Sequence, residues 1–268
     1  MQSNLIQKDN MYHSNLSSTS EMNGSSSSFD FISRNLLLQK YCTQEQKSFL
    51  ERNVIFCNCK KDNLIFYENF PASYIFFIYS GKIALWKKDL NTRKNIISFA
   101  KEGDFLGHRG SFIGNYTYRF SASTLEDSII GSVAKDALEK VLKENPELNY
   151  NIMVSYMKEL EMIESRLHAL ANMNAKEKVA EALLIIRDAF ADKKNTIQTE
   201  EDTTPFSFSI SRKELSAVAG LCEGKTIRQL SEFRKEKFLN TSRSNITLLR
   251  PDKLKEIVAR FHEYTPLS

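Results

Sequence analysis

Ile210-Ser-Arg-Lys-Glu-Leu-Ser-Ala-Val-Ala-Gly220 and, shortly after it, Thr226-Ile-Arg-Gln-Leu-Ser-Glu-Phe-Arg234 decide how this chain is read. Ser211 with Glu214 three residues on is a capping signal, because the serine oxygen accepts from the glutamate's backbone N–H while the carboxylate reaches back to the serine N–H. Leu215 and Val218 then supply an apolar side, and Gly220 suits the turn between two short helices. A second helix is expected over 223–235 with Ile227, Leu230 and Phe233 turned inward. Helix, short glycine turn, helix is the helix-turn-helix arrangement, whose second helix enters the major groove of DNA. Phe238-Leu239 and Ile246-Thr-Leu-Leu249 flank a polar turn at 240–245 and read as a two-stranded wing. Pro251 opens a last helix that runs to about Phe261.

Charge supports the same end of the chain. The 268 residues carry 37 Lys/Arg and 33 Asp/Glu, a net of +4. Residues 205–260 hold 12 Lys/Arg against 6 Asp/Glu, a local net of +6 that leaves −2 for the remainder. A basic excess confined to one end is the footprint of a polyanion partner.

Upstream of this segment, 174–190 reads as a helix opened by the Asn174/Glu177 capping pair, and 192–204 as a polar loop ending at Pro205. A long helix is expected over 147–173, after a short one over 136–144 that stops before Pro146. Met153, Tyr156, Leu160, Ile163, Leu167 and Leu170 recur along the long helix at alternating spacings of 3 and 4. Such a stripe fits either the helix's own domain core or, given its 3.5-residue period, a parallel two-helix dimer seam.

From 54 to 133 the pattern changes to short β-branched and aromatic runs, among them Leu64-Ile-Phe-Tyr67, Tyr74-Ile-Phe-Phe-Ile-Tyr79, Lys82-Ile-Ala-Leu-Trp86 and Asn95-Ile-Ile-Ser-Phe99. Ser80-Gly81, Glu102-Gly-Asp104 and Gly114-Asn115 punctuate them, which argues for a β-barrel or sandwich. A short helix capped by Thr43 is expected over 43–52. Residues 1–30 are polar and Ser/Asn-rich and read as a disordered tail. The domain reading is therefore a tail at 1–30, a β-barrel or sandwich domain at 31–146, a long helix at 147–173 and a winged helix-turn-helix at 174–268, an α+β chain.

Several classes fall away. There is no phosphate-binding Gly-Lys-Ser/Thr loop, and His13, His108, His168 and His262 are scattered, so neither an enzyme nor a metal site is expected. No apolar run approaches the ~18 residues of a membrane span. No secretion signal is read at the start, and four cysteines in a chain this long are not a disulfide framework, so the cytoplasm is the expected location.

Taken in order, the helix-turn-helix stretch, Tyr79-Ser-Gly-Lys-Ile-Ala-Leu85, Glu102-Gly-Asp-Phe-Leu-Gly107 and Ser121-Ala-Ser-Thr-Leu-Glu-Asp127 resemble the Crp/Fnr family of transcription regulators over roughly 35–261. The resemblance implies a cyclic-nucleotide-binding-like β-roll, a long dimer helix and a winged helix-turn-helix. It also implies a homodimer that binds double-stranded DNA at a near-palindromic operator, with RNA polymerase as a possible further partner. Matched to the family motif, Glu223, Gly224 and Arg228 hold the base-reading places, Lys225 a phosphate-contacting one, and Ser211, Arg212 and Lys213 face the DNA backbone. Many relatives carry Glu at the place of Gly224, so the usual half-site is not assured here.

In the cyclic-AMP branch a Glu follows the loop glycine and an Arg-Ser pair holds the phosphate. Here Gly107 is followed by His108 and Arg109. Arg119 precedes Phe120 rather than Ser, and ungapped counting puts Tyr118 at the arginine's place. A pocket around Gly107, His108, Arg109, Arg119 and Ser121 is thus left with three readings: an anionic ligand, no ligand, or a cyclic nucleotide, which the missing carboxylate disfavours. Cys42, Cys57 and Cys59 lie in the sensor half and Cys222 in the helix-turn-helix, which does not match the iron–sulfur branch, so no cofactor is expected. The function expected is a dimeric sequence-specific regulator whose effector is unknown or absent. The alternatives are a cyclic-nucleotide-responsive regulator, or a ligand-sensing subunit acting on a protein partner.

Overall fold

The computed structural model describes residues 31–88, 90, 94–108, 117–190 and 205–262. The tail at 1–30, the Gly114-Asn115 turn, Arg109 and the loop at 192–204 lie outside the described residues. The chain divides into two compact units, one of the chain up to Leu85 with Ala100–Ser155, the other of Trp86–Phe99 with the chain from Tyr156 onward.

In the first unit α1 (Leu36–Tyr41) and α2 (Gln44–Asn53) precede the strands. Thr43 caps α2 through a full capping box with Gln46. The strands are β1 (Val54–Cys59), β2 (Leu64–Phe66), β3 (Tyr74–Ser80), β4 (Lys82–Lys88), β5 (Lys94–Lys101), β6 (Phe105–Leu106), β7 (Ser121–Thr124) and β8 (Ser128–Ala134). They form two four-stranded sheets, in the orders β1-β8-β3-β6 and β2-β7-β4-β5. β1 pairs antiparallel with β8, Cys57 opposite Ile130, and β3 pairs with the other edge of β8. Every strand sends residues into one core, which includes Cys57, Cys59, Phe66, Phe76, Ile78, Ile83, Ala100, Leu106, Ala122 and Ile130. β3 is buried on both faces, because Phe76 points into that core while Phe31 packs on Phe77 from outside, ring centroids 4.9 Å apart. That double burial explains why its sequence runs continuously apolar rather than alternating.

The helices α3 (Lys135–Glu144) and α4 (Pro146–Asn172) follow. α4 opens on Pro146 itself, since a proline's missing N–H costs nothing in the first turn. The Asn145 side chain accepts from Leu148 N at 2.9 Å to cap it. The break between the two units falls inside α4, between Ser155 and Tyr156.

The second unit is built around α5 (Ala175–Phe190), whose Val179, Ala180, Ala182, Leu183, Leu184 and Ile186 are all buried. Asn174 and Glu177 satisfy each other's backbone donors at 3.1 and 2.7 Å, as their spacing predicts. Glu177 also accepts from Arg260 at 2.7 Å, which ties the last helix, α8 (Pro251–His262), to α5. β9 (Phe206–Ser209), α6 (Arg212–Ala219), α7 (Glu223–Lys235), β10 (Leu239–Ser242) and β11 (Asn245–Leu248) complete the unit. The wing is thus a three-stranded sheet, β10-β11-β9, rather than a two-stranded one. The alternation in Phe206-Ser-Phe-Ser209 is the period-two signal that marks the extra strand. The turn is also shorter than the polar stretch 240–245 suggests: Ser242 pairs with Asn245, leaving two residues between them. The Trp86–Phe99 segment belongs to this unit through its far end. Phe99 sets its edge on Phe190, which meets Phe208 in the same way, and Arg166 of α4 donates to the Ile97 carbonyl at 3.0 Å.

Candidate nucleic-acid interface

Three elements form the surface: the start of α6, the exposed side of α7 and the tip of the β10–β11 hairpin. α6 is fixed at both ends. Ser211 and Glu214 close the expected capping box, with bonds of 2.8 and 3.1 Å. At the other end Gly220 adopts φ +63, a left-handed conformation that terminates the helix and that a side chain would strain. α5 packs against both α6 and α7, so the pair is held as one piece.

On α7 the residues turned inward are Thr226, Leu230 and Phe233. Ile227, expected inward, is instead 46% exposed. The helical period explains the correction, since 226, 230 and 233 lie 4 and 3 residues apart and share one face, which 227 leaves by about 100°. Thr226 tolerates complete burial because its hydroxyl donates to the Cys222 carbonyl at 3.3 Å. The side away from the core is formed by Glu223, Gly224, Lys225, Ile227 and Arg228, all exposed. Arg228 leans along the helix to Glu232, Nε to Oε1 3.3 Å, an exposed pair that yields easily to a stronger partner.

At the start of α6, Ser211 is half-buried as the cap and Lys213 is exposed. Arg212 has one guanidinium nitrogen, Nη1, shielded from solvent without a hydrogen-bond partner among the described residues, and burial holds its proton affinity below the ordinary arginine range. Among the described residues Lys213, Lys225 and Arg234 hold no ion pair, so this basic surface is not neutralised internally.

Gly224 stands in open space, with no atom within 4 Å of where a Cβ would sit. Gly224→Glu is therefore expected to fold unchanged and to stabilise the helix by about 0.5–1 kcal/mol, since glycine is the costlier residue in a helix. It is also expected to shift the preferred half-site by adding an acceptor for a cytosine amine. Thermal melting and selection from a duplex library check the two parts separately.

Of the residues named for an effector pocket, Gly107, His108, Arg119 and Ser121 are among the described residues. Gly107 (φ +85) approaches Tyr118 so closely that a Cβ would lie 2.9 Å from its ring and 3.0 Å from the Tyr74 carbonyl. Tyr118 is buried and stacks on Phe66 with centroids 4.1 Å apart. Its hydroxyl donates to Tyr74 O at 3.0 Å. Arg119, the next residue, is exposed. Ser121 is buried, and its hydroxyl accepts from Glu68 N at 3.0 Å. His108 is buried with its ring edge-on to Phe105 at 4.8 Å. Arg109 lies outside the described residues. Cys42, Cys57 and Cys59 are buried, and burial pushes the Cys42 and Cys59 thiols up to about 11. Cys222, the N-cap of α7, is exposed.

Along α4, Met153, Leu160, Ile163 and Leu167 are exposed, whereas Tyr156 and Leu170 are half-buried within the protomer. Tyr150 and Met157 add to the exposed apolar face, while Met162, also exposed, lies on the opposite side of the helix. The exposed stripe is thus turned slightly from the one read in the sequence, with Met157 taking the outward place of Tyr156. The tyrosine hydroxyl, itself shielded from solvent, goes with the inward side.

The chain matches two family models in order: a cyclic nucleotide-binding domain over residues 56–145 and a Crp-like helix-turn-helix domain over 177–257. The chain belongs to the Crp/Fnr family of transcription regulators. Crp/Fnr relatives include the transcriptional activatory protein AadR of Rhodopseudomonas palustris, 24% identical over 73% of this chain and 77% of that protein. The nitrogen fixation regulation protein FixK of Bradyrhizobium diazoefficiens is 26% identical over 73% of this chain and 78% of its own. The solved structure of FixK2 from Bradyrhizobium japonicum shares the fold, with a TM-score of 0.63 at 21% identity, covering 76% of this chain and 96% of that one. The Crp/Fnr architecture of sensor β-roll, long helix and helix-turn-helix is the one expected from the sequence, and regulators of this family bind DNA and are typically dimeric.

Proposed function

We propose that this Crp/Fnr protein is a cytoplasmic homodimer that binds a near-palindromic DNA operator sequence-specifically, without a cyclic nucleotide and without catalytic chemistry of its own. The observation that carries the reading is the outer side of α7, where Glu223, Gly224, Lys225, Ile227 and Arg228 are all exposed opposite a buried face that fixes the helix. In the major groove Arg228 exchanges Glu232 for a guanine edge, whose O6 and N7 accept both arms of its fork. Lys225 neutralises a phosphate, and Ser211, Arg212 and Lys213 meet the backbone that α6 crosses.

Independence from cyclic nucleotide rests on Tyr118. At the place counted for the phosphate-holding arginine stands an aromatic ring packed on Phe66, with its hydroxyl already bonded to the backbone. An anion there must displace a packed ring. The exposed apolar stripe on α4 is the self-complementary surface for the second protomer. Contact with RNA polymerase is the further step by which such a dimer acts on transcription.

The test is selection from a random duplex library by purified, ligand-free protein at about 0.15 M salt, where non-specific binding is weakened. Enrichment of an inverted repeat with half-sites one helical turn apart is expected. Enrichment only after cyclic AMP is added overturns the effector-free reading, and none under either condition overturns the sequence-specific one.

A further inference from the structure

The exposed stripe of α4 is interrupted by a charge. Tyr150, Met153, Met157, Leu160 and Leu167 are each more than half exposed, and their spacings are 3, 4, 3 and 7. The step missing from the 3–4 alternation is position 164, and Glu164 stands there. At about 100° per residue, Glu164 lies within about 20° of both Met153 and Met157 and about 40° from Leu160, in the middle of the stripe. It is exposed, and its carboxylate makes no ion pair or hydrogen bond among the described residues. Ile163, which the sequence places in the seam, is 39% exposed and sits at the edge of this face. The rotation of α4 that exchanges Tyr156 for Met157 thus exchanges Ile163 for Glu164 one heptad later.

A parallel two-stranded seam sets equivalent positions of its two helices opposite one another. Glu164 occupies the same kind of position as Tyr150 and Met157, so two-fold symmetry brings its carboxylate against the same carboxylate of the second copy. We infer that Glu164 is a charge brake on dimerisation. The like-charged pair holds the free dimer near the micromolar range, and the operator completes it by seating two protomers side by side. The inference rests on the α4 seam proposed above and names the residue that sets its strength.

The other charges of α4 do not relieve the pair. Its basic residues are Lys158, Arg166 and His168. Lys158 projects about 120° around the helix from Glu164. Arg166 is turned to the Ile97 carbonyl, to which it donates at 3.0 Å. His168 lies one turn on, and Glu161, one turn back, adds a further negative charge at the flank. A single polar residue in such a seam lowers its stability while fixing which helix it meets and in what register. Half-sites one helical turn apart then hold two protomers at an effective concentration of about millimolar, enough to close a micromolar seam.

The experiment is sedimentation equilibrium on full-length wild type, Glu164→Gln, Glu164→Leu, Glu164→Lys and Glu161→Gln. The amide is expected to tighten the dimer about tenfold by removing the repulsion. Leucine should tighten it by at least about 100-fold, since two apolar side chains are then buried as well. Glu161→Gln, an equal loss of charge at the flank, should change it less than about threefold. Glu164→Lys alone should dimerise no better than wild type. Its equimolar mixture with wild type should give heterodimer above the random proportion, counted by native mass spectrometry. On the inverted repeat, wild-type occupancy should rise with the square of protein concentration, and that of Glu164→Leu linearly, because the leucine variant is already paired. A Glu164→Gln dimer no tighter than wild type, or random pairing in the mixture, overturns the proposal. Equal tightening by Glu161→Gln also overturns it, since net charge and not the seam position is then at work. Failure of the seam itself reads differently: the dimer then survives Leu160→Glu combined with Leu167→Glu.

Discussion

Arg228→Ala is expected to cost about 1–3 kcal/mol per half-site, the discrimination carried by one bidentate arginine–guanine contact. Two half-sites in a symmetric operator add nearly independently, so the dimer loses roughly 2–6 kcal/mol, or about 30-fold to more than 10⁴-fold in affinity. The stability cost should be within about 0.5 kcal/mol, because the side chain is exposed and its partner among the described residues is the half-exposed Glu232. Selection with the variant should return the same inverted repeat with one base pair of each half-site no longer preferred. Arg228→Lys should not restore the preference, since a lysine offers a point charge and no planar fork. If affinity and base preference survive the alanine substitution, α7 reads DNA through another residue, and Glu223 or Ile227 on the same exposed side becomes the candidate.

Leu160→Glu combined with Leu167→Glu is expected to convert the dimer to a monomer. Both leucines are more than half exposed in the protomer, at 55% and 68%, so the substitutions leave its own core intact. Across a two-fold axis four leucines are removed at once. At about 1.5–3 kcal/mol for a leucine buried from full exposure, scaled to the fraction still exposed, association weakens by roughly 4–7 kcal/mol before any repulsion between the new carboxylates is counted. A micromolar dimer has only about 8 kcal/mol to lose. Sedimentation should therefore report the monomer, with helix content unchanged by circular dichroism, and operator binding should fall to the level of a single half-site. A dimer that persists places the seam elsewhere on the chain. The companion Tyr156→Phe, on the inward side of α4, should leave the oligomeric state as it is.

The two substitutions probe parts of the molecule that were legible to different degrees. The capping pairs Ser211/Glu214 and Asn174/Glu177 formed as their spacing requires, because a cap is local chemistry that needs only a hydroxyl or amide oxygen and a carboxylate three residues apart. The strands of the β-roll likewise followed their β-branched and aromatic runs. Less was legible where two helical faces compete. Ile227 is the more apolar residue and Thr226 the less, yet Thr226 is buried, since α5 and the bond to Cys222 O decide which side of α7 faces the core. Tyr156 and Met157 exchange roles on α4 for the same kind of reason, a rotation of the helix that spacing alone leaves open within about 100°.

What the sequence by itself determined is the order of elements, the helix-turn-helix and the basic character of its end, because these depend on periodicity, caps and net charge, all of them properties of neighbours along the chain. The tertiary structure alone decided that Tyr118 fills the interior beside Gly107, that β9 pairs with β11 rather than elsewhere, and that Arg243 is stitched beside the start of α6. Each of these is a contact between residues distant in sequence or a turn whose register depends on its partner strand. The free energy that selects them comes from packing and pairing across the fold, which no local pattern records.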